Sequence, residues 1–115
     1  MPSFVGLSGS RRPVSATPAD TNEATLLTGT AAREAVVQIW VTNLTGSAAN
    51  ATVKWGDGST DYSLIDTHAV APRDYIKEDI TLQLQSGWTI KITSGTNSAL
   101  TFTVMIVETG SGVSG

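Results

Sequence analysis

The sequence contains no cysteine, one histidine and few charges. Without cysteine there are no disulfides, no thiol nucleophiles and no Cys-based zinc sites. A lone His68 excludes His-rich metal centres and most catalytic triads. Charged residues make up 15% of the chain, against roughly 25% in an ordinary soluble domain. Seven basic residues against ten acidic ones give a net charge of −3. That balance argues against a nucleic-acid footprint. No segment approaches the roughly 20 consecutive apolar residues that span a bilayer, and mean hydropathy is +0.04. The start, Met1-Pro2-Ser3-Phe4-Val5-Gly6-Leu7-Ser8, lacks the basic opening and apolar run of a secretory signal. The expectation is a protein made in the cytoplasm, with no membrane partner. Two glycosylation sequons, Asn43-Leu44-Thr45 and Asn50-Ala51-Thr52, read as chance in so threonine-rich a chain.

Small polar residues fill the gap left by charge: 17 Thr, 12 Ser and 11 Gly in 115 residues. This is a β-type composition, and the length suits one domain that buries a core without staples. The chain divides into an arm over 1–22, a body over 23–109 and a tail over 110–115. The arm holds Pro2, Pro13 and Pro18 and shows no period. The tail, Gly-Ser-Gly-Val-Ser-Gly, reads as a flexible end.

In the body the period is two. Val37, Ile39 and Val41 alternate with Gln38, Trp40 and Thr42. The same holds for Ile80, Leu82 and Leu84; for Trp88, Ile90 and Ile92; and for Leu100, Phe102, Val104 and Ile106. Successive strand side chains face opposite ways, so each run has a wet and a dry face, the antiparallel signature. Weaker strands fall near Ala24–Thr28, Ala51–Trp55, Tyr62–Val70 and Tyr75–Lys77. Gly- and Ser-bearing turns link them: Thr45-Gly46-Ser47, Gly56-Asp57-Gly58-Ser59, Ser86-Gly87 and Ser94-Gly95-Thr96-Asn97. The one short helical candidate is Ala31–Glu34. The fold class is therefore all-β: a single antiparallel sandwich of about seven to eight strands, Greek-key or jelly-roll-like, with an extended N-terminal arm.

No constellation of residues declares an enzyme. His68 with Asp66 lacks a nucleophile elbow and reads as a surface or interface histidine. Asp57, Asp61 and Asp66 lack calcium-loop spacing and read as turn aspartates. Glu78 and Asp79 are adjacent and face opposite sides of a strand, unlike a glycosidase pair across a cleft. Arg11-Arg12 is either an anchor for an acidic partner surface or a solubility device. Trp88 reads as core. For Trp40 and Trp55, core filling, a protein interface and a sugar platform all stay open.

Two stretches resemble known families. From Ala24-Thr25-Leu26-Leu27-Thr28, through Val41-Thr42-Asn43, Ala51-Thr52-Val53 and Ser86-Gly87-Trp88-Thr89-Ile90, to Val107-Glu108, the order of motifs resembles small virion proteins of tailed bacteriophages. The chain departs from that pattern at Thr28–Ala32, where a proline-bearing turn is usual, and at Trp88, where aspartate is usual. The resemblance implies a β-sandwich attached to a capsid or tail, with no enzymatic activity and no cofactor. A shorter stretch, Trp55-Gly56-Asp57-Gly58-Ser59 followed by Thr67–Tyr75, is similar to PKD-type extracellular sandwiches.

A low-charge Thr/Ser surface packs against neighbours at little desolvation cost. With the resemblance, this leads to one expectation: a capsid decoration (cement) protein of the virion. It would bind the major capsid protein or other virion proteins as a homo-oligomer, with a trimer favoured. Phe4, Val5, Leu7, Arg11 and Arg12 in the arm, together with Trp40 and Trp55, are the candidate partner-binding residues. The alternatives are a tail or neck component and a carbohydrate- or surface-binding module.

Overall fold

The computed structural model describes residues 11–30 and 34–108. Eight strands follow one another: β1 (Arg11–Ala16), β2 (Ala24–Thr28), β3 (Glu34–Asn43), β4 (Ala49–Gly56), β5 (Asp61–Val70), β6 (Tyr75–Leu84), β7 (Thr89–Ser94) and β8 (Leu100–Glu108). They form two four-stranded antiparallel sheets, β1-β8-β3-β6 and β2-β7-β4-β5. The pairing is nested: β1 with β8, β2 with β7, β3 with β6 and β4 with β5. One long hairpin rolled on itself produces this order, and it is a jelly roll.

Burial follows the expected alternation. Ile39 and Val41 on β3, Ile90 and Ile92 on β7, and Leu100, Phe102, Val104 and Ile106 on β8 are all at most 1% exposed. They meet Ala51 and Val53 from β4, Val70 from β5 and Leu84 from β6 between the sheets. One phase differs from expectation. A β-bulge between Val36 and Gln38 places an extra β3 residue against β8. Val36 is therefore the buried residue, while Val37 is only half-buried.

The turns also differ from expectation. Of the four turn motifs, only Gly56–Ser59 closes a hairpin within one sheet, between β4 and β5. The other three carry the chain across the sandwich, from β3 to β4, β6 to β7 and β7 to β8. The expected strands near 75–77 and 80–84 are one strand, β6. Of the helical candidate, Ala31–Arg33 lie outside the described residues, and Glu34 opens β3.

The arm expected over 1–22 contains a strand, β1 at Arg11–Ala16. Its proline hid it. Pro13 pairs with Met105 on an edge strand, the place in a sheet where a missing N–H does least harm. Val14 packs against the core. Ser15 shares a hydroxyl hydrogen bond of 3.0 Å with Thr103, and Thr17 one of 2.7 Å with Thr101. Phe4, Val5, Leu7 and the tail over 110–115 lie outside the described residues.

Gly29 fastens the crossing from β2 to β3. Its N–H donates to the Trp88 carbonyl at 2.7 Å, and its carbonyl accepts from Gly87 N–H at 3.1 Å. A Cβ at Gly29 would run into the backbone carbonyl of Gln85. Gly29→Ala is expected to cost about 1–3 kcal/mol, since backbone cannot yield as a side chain can. Urea denaturation checks it, and a loss under about 0.5 kcal/mol, the scale of neutral surface changes, would count against this packing.

Candidate interaction surfaces

The sheet order places the candidate residues on three different parts of the sandwich. Trp40 lies on the outer face of the β1-β8-β3-β6 sheet, opposite Lys77 on β6. Its ring stacks on Tyr75 with centroids 5.3 Å apart, and the Lys77 ammonium sits 5.4 Å from its centroid. The indole N–H donates to Gln38 Oε1 at 2.8 Å, and Gln38 Nε2 donates to Asp79 Oδ1 at 2.9 Å. Tyr75 is 54% exposed and Leu44, just past β3, is 46% exposed. This end of the sheet therefore carries an aromatic ledge in water. Of the three readings left open, core filling does not apply to Trp40.

Trp55 does face inward and packs against the core. It meets Trp88 edge-on at 5.4 Å and Tyr62 at 5.8 Å. Its N–H crosses to the other sheet and donates to the Gln83 carbonyl at 3.0 Å. An indole that fills space and satisfies its polar tip in this way braces one end of the sandwich. Trp88 also packs against the core, as expected.

Arg12 reaches back into its own chain. Its guanidinium donates to Glu34 Oε2 at 3.2 Å, where the Glu34 side chain is 2% exposed. Glu34 Oε1 also accepts from the Thr30 backbone N–H at 3.3 Å. A buried carboxylate needs such partners to stay buried. The Arg11 backbone pairs with Val107.

The third surface lies between two sheet edges. β5 and β6 are the edge strands of their two sheets and lie on the same side of the sandwich. Between them opens a cleft of about 210 Å³, lined by Leu64, Ile65, Asp66, His68, Ile76 and Glu78. Leu64 and Ile76 pack on the core and form its floor. Asp66, His68 and Glu78 are exposed at its rim. One signal was present in the sequence: Glu78 interrupts the inward series Ile76, Ile80, Leu82, Leu84. An inward-pointing charge is one of the devices that guard an edge strand.

The acidic residues have separate tasks. Asp57 accepts from the backbone N–H groups of Ser59 at 3.0 Å and Thr60 at 2.9 Å. The Thr60 bond, then that of Ser59, holds its carboxyl below the usual aspartate range. Asp61 accepts from Lys91 at 3.1 Å. Asp66 accepts from the Thr67 hydroxyl at 3.1 Å. Among the described residues, no group of three or more His, Asp or Glu could hold a metal ion.

No protein-family model matches the chain, and no curated protein matches it. Solved structures do share its fold. A pentameric capsid protein isolated from metagenomic phage sequences matches with TM-score 0.51 and 19% identity over 84% of this chain. The chain spans 61% of that protein's length. A chain of the acidic stable capsid of Helicobacter pylori bacteriophage KHP30 matches with TM-score 0.57 and 9% identity, covering 87% of this chain and 89% of that one. The Drosophila NLP core, whose structure bears on pentamer formation and histone binding, matches with TM-score 0.51 and 10% identity, over 85% of this chain and 98% of that one. The resemblance to phage virion sandwiches is thus one of fold.

Proposed function

We propose that this chain is a non-enzymatic structural protein of a phage virion, a capsid decoration protein that assembles with copies of itself. One observation carries this reading: the jelly roll matches a chain of the KHP30 capsid along nearly the whole of both, with TM-score 0.57. The low charge, 15% of residues, suits a surface meant for neighbours. It suits a basic partner such as a histone poorly. Between the trimer expected from the sequence and a ring of five, the neighbours favour five, because a pentamer is named for two of the three.

The mechanism is binding linkage. A ligand that binds only the assembled shell stabilises that shell, by about 2.7 kcal/mol per site at a hundredfold excess over Kd. Purified protein added to particles that lack it is expected to sediment with them and to raise the temperature at which they release DNA. Gold-labelled antibody is expected on the head. Label on the tail would support the tail or neck alternative instead. Absence of both sedimentation and label would remove the virion reading. Native mass spectrometry decides between five copies and three.

A further inference from the structure

We propose that the β5–β6 cleft is the seat for the N-terminal segment of a second copy, with Val5 and Leu7 on its apolar floor. The inference rests on the homo-oligomeric reading above and names the contact that would build the oligomer. Among the described residues β5 and β6 are the sheet edges on this side, and they lie opposite the β1 and β2 edges on the other side. The molecule thus has two unlike flanks, and β1, where the N-terminal segment enters, is on the flank away from the cleft. Unlike flanks that meet head to tail close into a ring when the rotation allows.

The chemistry of cleft and segment matches. The floor is Leu64 and Ile76, and the rim carries Asp66 and Glu78. Residues 1–10 contain no acidic residue to oppose that rim, and they offer Phe4, Val5 and Leu7. Val5 and Leu7 are two apart, so an extended segment turns both to one face. Unpaired edge groups can then hydrogen-bond its backbone, the usual logic of strand addition. The edges are guarded against indiscriminate pairing. Thr67 takes φ +48° in β5, at the register shift against β4, and Lys77, Glu78 and Asp79 follow one another on β6.

Reach is sufficient. Leu7 lies four residues before Arg11, up to about 14 Å along an extended chain, and Phe4 up to about 25 Å. A subunit that docks its cleft side against the β1 flank would bring its cleft within that range. The segment could also reach round to its own cleft, so the test must separate the two.

The absence of cysteine makes disulfide trapping clean. Val5→Cys and Ile76→Cys variants, mixed and oxidised, are expected to give mainly the mixed covalent dimer. The double variant V5C/I76C should give a ladder rising to a closed ring. Pairing V5C with N50C, an exposed site on the solvent face of β4, should give little. A double variant that closes only within one chain would place the segment in its own cleft and overturn the proposal, as would trapping no faster than the N50C control. Independently, the full-length V5D/L7D variant should keep its circular dichroism and fall from oligomer to monomer in native mass spectrometry. If it remains oligomeric, the proposal is lost. A trapped ring that ignores particles would remove the virion reading and leave this one standing. Particle binding by a V5D/L7D variant that remains oligomeric would do the reverse.

Discussion

Phe102→Ala is expected to cost about 3–5 kcal/mol, the range for emptying an aromatic site in a packed core. Phe102 is the largest of the fully buried side chains. It sits on β8 between Ala16 of β1 and Val41 of β3. Two things set the magnitude. The removed ring loses its transfer free energy, and the cavity forfeits contacts that a sheet locked on both sides cannot restore by collapsing. Such a loss is a large share of the 5–15 kcal/mol typical of a domain, and it corresponds to a fall in Tm of roughly 15–25 °C. Thermal and urea unfolding read it directly. Trp40→Ala removes a larger ring from the outer face, and it should cost clearly less. If the two costs came out in the reverse order, the assignment of inner and outer faces would be wrong.

That contrast also shows what could be read from residues alone. The alternation in β7 and β8 is strict, and it yielded their inward faces correctly because each of those strands keeps one phase to its end. In β3 the alternation breaks at a bulge, and nothing in Val36-Val37-Gln38 announces an extra residue; the phase is set by pairing to β8. β1 escaped notice because its one inward apolar residue in contact with the core, Val14, follows a proline. The turns were recognised, but their destinations were not. Gly, Ser, Thr and Asn solve the same backbone problem whether a chain reverses within a sheet or arches to the facing one. The site suffered most from this. That β5 and β6 both end up as edges on one side is a property of strand order, so beyond the lone signal of Glu78 the residues do not locate the cleft, nor do they match Trp40 with Tyr75 and Lys77. Nothing in the sequence pairs Arg12 with Glu34, which lies 22 residues away.

Asn43→Leu is expected to cost about 2–4 kcal/mol, although it exchanges a polar side chain for an apolar one of similar volume in a buried place. Asn43 is 2% exposed. Its Nδ2 donates to the Ser47 carbonyl at 2.8 Å and to the Val70 carbonyl at 3.0 Å. Its Oδ1 accepts from the Thr45 backbone N–H at 2.9 Å and the Thr45 hydroxyl at 2.8 Å. One amide thus uses both donors and both lone pairs. It ties the arch after β3 to the end of β5 in the opposite sheet. Leucine would fill the space but take the side-chain partner from the Val70 carbonyl and the Thr45 N–H, while the Ser47 carbonyl keeps the Thr45 hydroxyl at 2.9 Å; each unpaired buried group costs about 1–3 kcal/mol, partly relieved where water can enter. Asn43→Asp should be worse, because it loses two donors and sets a charge against two carbonyl oxygens. Urea denaturation should rank the variants wild type, Leu, Asp in falling stability, and proteolysis should begin in residues 44–48. Equal stability of all three would show that the amide is dispensable. The same geometry explains two features of the sequence. The Asn of the Val41-Thr42-Asn43 stretch, which carried part of the virion resemblance, is where an arch is pinned to the facing sheet. The Asn43-Leu44-Thr45 sequon is a turn whose Nδ2 is already spent on two carbonyls, so a glycan could be attached there only by undoing the clamp.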